Sequence, residues 1–207
     1  MTGLDHLVYA ASNLAAAIDE LAARTGVRAT PGGRHVGMGT HNALLALGPD
    51  TYLEIIAPDP DQPPPAMPRP FGLDRLSAAR LLTWARKAPD IDAYVAAARA
   101  AAYDPGVVRS MSRARSDGMR LAWRLTLTPR LPGDGLVPFL IDWGTTPHPA
   151  GGAAAGCTLL DLRAEHPEPQ TIRPLLQAIN AELVVSAGPV PALIATLATP
   201  AGRLELR

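Results

Sequence analysis

Residues 4–26 read LDHLVYAASNLAAAIDELAARTG, and this stretch fixes how the rest of the chain divides. Leu4 to Ala10 is apolar and slightly rich in β-formers, so it reads as a strand. It runs into Ser12 and Asn13, both favoured helix N-caps. Leu14, Ala17, Ile18, Leu21 and Ala22 then recur at helical spacing until Gly26, a glycine placed to cap the helix C-terminus. A strand feeds a helix, and the elements after that helix decide the fold class.

Those elements are a run of strands. The segment broken by Gly32, Gly33, Gly37 and Gly39 leads into Asn42 to Leu47, a Gly48-Pro49-Asp50 turn, and Tyr52 to Ala57. The same order returns with Leu81 to Arg86, a helix face at Ile91, Tyr94, Val95, Ala98 and Ala102 behind Pro89-Asp90, and three strand-like pieces at 107–114, 119–127 and 137–143. A third, shorter pass covers Thr158 to Arg163, a helix with Ile172, Leu175, Leu176 and Ile179, and strands at 183–186, 193–199 and 204–206. Passes spaced roughly 80 residues apart are what an internal repeat produces. Strands in runs between helices favour an α+β fold with mainly antiparallel pairing over a doubly wound parallel sheet. The expected organisation is therefore tandem βαβββ modules at 1–60, 71–146 and 156–207. Residues 58–70 and 147–156, rich in Pro, Gly and Ala, read as connectors.

Composition narrows the partners. Of 207 residues 47% are apolar, enough for one sizeable core or two packed modules. Lys+Arg and Asp+Glu are both 19, so the net charge is +0. Such a chain offers no electrostatic footprint for nucleic acid and no polybasic patch for a membrane surface. A small molecule is the partner that fits. Cys157 is the one cysteine, which removes an intramolecular disulfide framework and fits a reducing compartment. With no targeting segment and no apolar run near the roughly 18 residues a bilayer requires, the expected location is the cytoplasm. There is no GxGxxG between a strand and a helix and no P-loop, so nucleotide binding has little support.

The strand and turn segments carry a resemblance. LDHLVYA with its helix, then GGRHVGMGTHNALLALG and TYLEIIAP, resemble the first module of the glyoxalase-like branch of the vicinal-oxygen-chelate superfamily. SRARSDGMRLAW and PFLIDWGTTPHP resemble the second, and 156–207 matches in element order only. The resemblance implies curved sheets of the glyoxalase and bleomycin-resistance type enclosing a cavity. It also implies metal ligands on the first and fourth strands of two modules, which places His6, Glu54 and Asp142 as candidate ligands. The remaining position falls near Thr83 or Trp84, neither a usual ligand, so the set is incomplete. One imidazole with two carboxylates still suits a divalent ion acting as a Lewis acid, although it is not the two-His-one-carboxylate set of non-haem iron chemistry.

Other residues have competing uses. His6 and Glu54 are the candidate proton-transfer pair, yet a lone histidine in an apolar strand is commonly a hydrogen-bonded interior group. On period-2 alternation Glu54 also suits a solvent face, while Asp142 occupies the matching place in the second module. His35 and His41 complete a site if either points inward; with Asn42 they are otherwise loop or turn residues. Arg113 and Arg115 are candidates for an anionic substrate group, against the ordinary use of strand arginines as solvated or paired. Trp123 and Trp143, with Trp84, are candidates for lining a pocket, against core packing. His148 and His166 read as connector residues.

Two classes of function remain. One is a metal-assisted lyase or isomerase, with Glu54 moving a proton. The other is a metal-free binding or sequestering protein in which His6, Glu54 and Asp142 only orient the guest. Related proteins close the cavity by forming a homodimer, and three modules in one chain offer internal closure as the alternative.

Overall fold

The fold comes from a computed structural model that describes residues 3–114 and 120–207. The first repeat is β1 (Leu4–Ala10), α1 (Leu14–Thr25), β2 (Thr30–His35), β3 (Thr40–Gly48) and β4 (Thr51–Pro58). α1 begins where expected, the Asn13 side chain accepting from the Ala16 amide at 2.9 Å. It ends at Gly26, whose φ of 76° is a left-handed conformation that glycine adopts without steric cost. The second repeat is β5 (Arg80–Lys87), α2 (Ile91–Ala100), β6 (Val107–Ala114), β7 (Arg120–Leu127) and β8 (Phe139–Asp142).

Each repeat pairs its first strand in parallel with its fourth, β1 with β4 and β5 with β8, and the remaining neighbours within it are antiparallel. β1 and β5 then join antiparallel, giving one eight-stranded sheet in the order β2-β3-β4-β1-β5-β8-β7-β6. The sheet curls into a half-barrel. Its two outer strands, β2 and β6, approach each other, and Arg113 of β6 donates to the Gly32 carbonyl of β2 across that seam.

Alternation along the strands separates two environments. Leu7, Tyr9, Leu53, Ile55, Trp84 and Leu140 turn to the helix side and form the main core. His6, Tyr52, Glu54, Ile56, Phe139 and Ile141 turn to the concave side and line a cavity.

The third repeat has the expected element order with different pairing. It comprises β9 (Thr158–His166), α3 (Pro169–Ala178), β10 (Val184–Ala187), β11 (Ala192–Thr199) and β12 (Gly202–Leu206). They form a separate four-stranded sheet in the order β10-β9-β11-β12. β9 pairs in parallel with the strand directly after the helix, whereas the first strands of the other repeats pair with their last. Its apolar residues Leu162, Ile172, Leu176 and Leu197 belong to the same core as Leu7 and Leu53. It therefore packs on the helix side and contributes no wall to the cavity. The 147–156 segment contains a short 3-10 turn at Pro149–Gly152, and Ala154 joins it to β3 by a bridge to Leu45. Among the described residues no helix is long and apolar enough to cross a membrane.

Candidate functional site

The concave cavity comprises about 590 Å³ of space between atoms, mouth included. Its two walls differ in chemistry. The first repeat supplies a polar wall of His6, His35, Thr40, Asn42 and Glu54, and the second an apolar one of Met111, Trp123, Leu125, Phe139, Ile141 and Trp143. Pairing register explains the polar wall. His35 lies opposite Thr40, and Leu44 opposite Glu54, so these side chains share one face of the sheet.

Glu54 is the centre of that wall and only 7% exposed. One carboxylate oxygen lies 3.7 Å from His6 Nε2, the other 3.8 Å from His35 Nε2. The Asn42 amide donates to Glu54 Oε1 at 2.6 Å and lies 3.3 Å from His35 Nε2. His35 Nδ1 is 3.0 Å from the Thr40 hydroxyl. Burial lowers the His35 pKa from its ordinary 6.5 and outweighs the opposing pull of the Glu54 charge. His6 stacks on Tyr52 at 4.6 Å between ring centroids and meets Phe139 edge-on at 5.5 Å. Opposite, Trp123 and Trp143 form a tilted pair 5.2 Å apart.

The expected site residues divide accordingly. His6, Glu54, His35, Asn42, Arg113, Trp123 and Trp143 all line the cavity, and Trp84 lies in the helix-side core with its Nε1 donating to Leu136 O. Two candidates are corrected. His41 sits between inward-facing Thr40 and Asn42, so alternation sends its ring to the other face, 3.9 Å from Asp59. Asp142 lies between inward-facing Ile141 and Trp143 and is likewise turned away. Its carboxylate accepts from the Gly144 amide at 2.8 Å and the Ile91 amide at 3.5 Å, which holds the start of α2. Arg115 lies outside the described residues.

The sheet register also shows why the two acids are not equivalent. About the Leu7↔Trp84 pair, Val8 in β1 corresponds to Ala85 in β5. Val8 is opposite Glu54, whereas Ala85 is opposite Phe139. The second repeat thus places a phenyl ring where the first places a carboxylate, and Thr83 where the first places His6. The Thr83 hydroxyl is buried and has no hydrogen-bond partner among the described residues.

The ligand set that the resemblance implies for a divalent ion, His6, Glu54 and Asp142, is not assembled here. Asp142 is committed to backbone amides, Phe139 has no donor atom, and the Asn42 amide already meets both Glu54 and His35. Among the described residues no three His, Cys, Asp or Glu side chains form a group able to hold a metal.

Sequence reasoning passed over Asp5, Tyr52 and Phe139 and read His148 only as a connector residue. Phe139 and Tyr52 carry the inward signal of period-2 alternation. Asp5 and His148 carry none, because a bulge and a connector place them.

A curled sheet made from two βαβββ repeats around one cavity defines a glyoxalase-like, vicinal-oxygen-chelate fold. The family profile described as a glyoxalase-like domain matches residues 4–180, and the chain belongs to that family. A hypothetical protein from Staphylococcus aureus is 13% identical with a TM-score of 0.62, over 98% of this chain and 84% of that one. That likeness supports the fold across all three repeats. Methylmalonyl-CoA epimerase from Mycobacterium tuberculosis is 22% identical with a TM-score of 0.43, over 69% of this chain and 89% of that one. No curated protein matches the chain.

Proposed function

We propose that the cavity binds a small, planar, largely apolar organic molecule, and that Glu54 and His6 move a proton at the ligand's polar edge, as in an isomerase or lyase. The placement of Glu54 carries this reading: an almost buried carboxylate beside two imidazoles, facing an aromatic wall. Keeping a carboxylate enclosed costs several kcal/mol unless partners compensate it, so its retention on a cavity wall needs a reason. General acid–base work is such a reason and contributes about 10²–10⁴-fold in rate. The aromatic wall supplies apolar contact for the guest, the polar wall its orientation. Arg113, also on the lining, supplies a positive charge suited to an anionic substituent. The proton transfer is assigned to Glu54 and His6 themselves, and no step is routed through a metal.

A second reading, sequestration without chemistry, is favoured by one observation. The Asn42 amide occupies Glu54 Oε1 at 2.6 Å, which suits a carboxylate held as a fixed acceptor. One experiment separates the two. The protein is titrated with a panel of aromatic carbonyl compounds, followed by tryptophan fluorescence, and each bound compound is then held in D₂O while NMR records exchange of its acidic C–H. Exchange that Glu54→Gln abolishes without loss of affinity supports proton transfer. Tight binding with no exchange in the unmodified protein supports sequestration, and equal exchange in both proteins overturns the role of Glu54.

A further inference from the structure

β1 departs from regular alternation at Asp5. Leu4 pairs with Arg86 and His6 with Ala85, so Asp5 is the extra residue of a bulge. Bulges re-aim side chains, and here Asp5 joins His6 on the concave side. The Asp5 side chain is fully buried and meets three ring nitrogens. His6 Nδ1 lies at 2.7 Å, Trp143 Nε1 at 3.1 Å and His148 Nε2 at 3.2 Å. His148 Nδ1 accepts from the Ala150 amide at 3.3 Å, which leaves the ring hydrogen on Nε2, pointing at Asp5. The donors come from β1, from just past β8 and from the 147–156 segment, so distant parts of the chain converge on one carboxylate. Burial by itself raises the Asp5 pKa, but the hydrogen bonds and charges of His148 and His6 outweigh it and hold the carboxyl well below the ordinary range. Ring nitrogens from three residues thus converge on the Asp5 carboxylate as their shared acceptor.

We infer that Asp5 is a positioning residue: it locks the His6 ring with its hydrogen on Nδ1, so that the Nε2 lone pair faces the cavity beside Glu54, and Trp143 and His148 complete the cage that holds Asp5. The opposite tautomer would set a ring lone pair against a carboxylate lone pair 2.7 Å away. The same carboxylate anchors Trp143 Nε1, so one buried group aligns the proton acceptor and the aromatic wall. The bearing of this lock on chemistry rests on the proton-transfer role proposed for His6, but the lock is a property of the ligand-free protein.

The test is the His6 tautomer in ¹⁵N-labelled, ligand-free protein, read from long-range ¹H–¹⁵N correlations that show which ring nitrogen bears hydrogen. The expected result is hydrogen on Nδ1 and a bare Nε2 once the ring is neutral. Asp5→Asn puts an amide donor into the cage and is expected to shift the hydrogen to Nε2, wholly or in part. A neutral wild-type ring with hydrogen on Nε2 would overturn the inference. So would an unchanged tautomer in Asp5→Asn. The wild-type measurement needs no variant to fold. If the tautomer is as stated yet no bound compound exchanges a proton, the proposed function fails and the positioning role stands.

Discussion

Replacing Glu54 by glutamine separates folding from chemistry, because the structure predicts that one barely changes while the other collapses. The Asn42 amide donates to Oε1 at 2.6 Å, and a glutamine oxygen accepts the same bond. The new side-chain amide then faces His6 Nε2, which lies 3.7 Å from the present Oε2. A hydrogen bond to a charged group contributes about 1.5–3 kcal/mol and a neutral one about 0.5–1.5 kcal/mol, so roughly 1 kcal/mol is lost at the Asn42 bond. Against this, a carboxylate that costs several kcal/mol to bury is removed. The expected net change lies within about 1 kcal/mol, and the melting temperature moves by no more than about 2–4 °C for a domain of this size. Proton exchange of a bound C–H acid should fall by about 10²–10⁴-fold, the range that general-base catalysis contributes. Calorimetry measures the first quantity and NMR in D₂O the second. A stability loss above about 3 kcal/mol would mean that Glu54 is the structural half of a buried ion pair, and the argument for its chemical role would be refuted.

The same geometry sets further outcomes. Asp142→Ala should cost about 1 kcal/mol of stability in urea titrations through the lost bonds to the Gly144 and Ile91 amides, with ligand affinity unchanged. His41→Ala should leave affinity unchanged, whereas Asn42→Leu removes the donor on Glu54 and should destabilise by about 1–3 kcal/mol, both read by thermal shift and fluorescence titration. Acidification should lower the melting temperature in two stages. Burial holds the folded-state pKa of His35 below 6.5, so between that lowered value and 6.5 the unfolded chain binds the extra proton. Its contribution is therefore complete above pH 6.5 and declines as the pH falls through this window. Asp5 contributes fully above its ordinary 3.8 and loses that contribution as the pH falls further. His35→Gln should remove the upper stage only.

Local chemistry was enough to fix the element order from sequence. Asn13 and Gly26 bound α1 because capping needs only residues within one turn of chain. Strand against helix was equally plain, since the 2-residue and 3.6-residue periods differ within a few positions. That His6 and Glu54 share a cavity was expected from the resemblance, and the register of β1 on β4 brings them together.

Pairing across the chain decided the rest. Glu54 and Asp142 look alike in sequence, each an acid between an apolar residue and an isoleucine or tryptophan. Yet strand register turns one inward and the other toward α2, and a shift of one residue reverses every side chain. His35 and His41 were indistinguishable until β2 met β3. The third repeat shows the same limit at larger scale, because its element order is local while the choice of partner for β9 is not. Asp5, next to His6 in β1, acquires its three donors only through a bulge and two segments more than a hundred residues away. Sequence alone determined which pieces form and which residue types are present. Tertiary contact determined which faces meet, because a strand's inward side is a property of its neighbours and of their register, not of the strand itself.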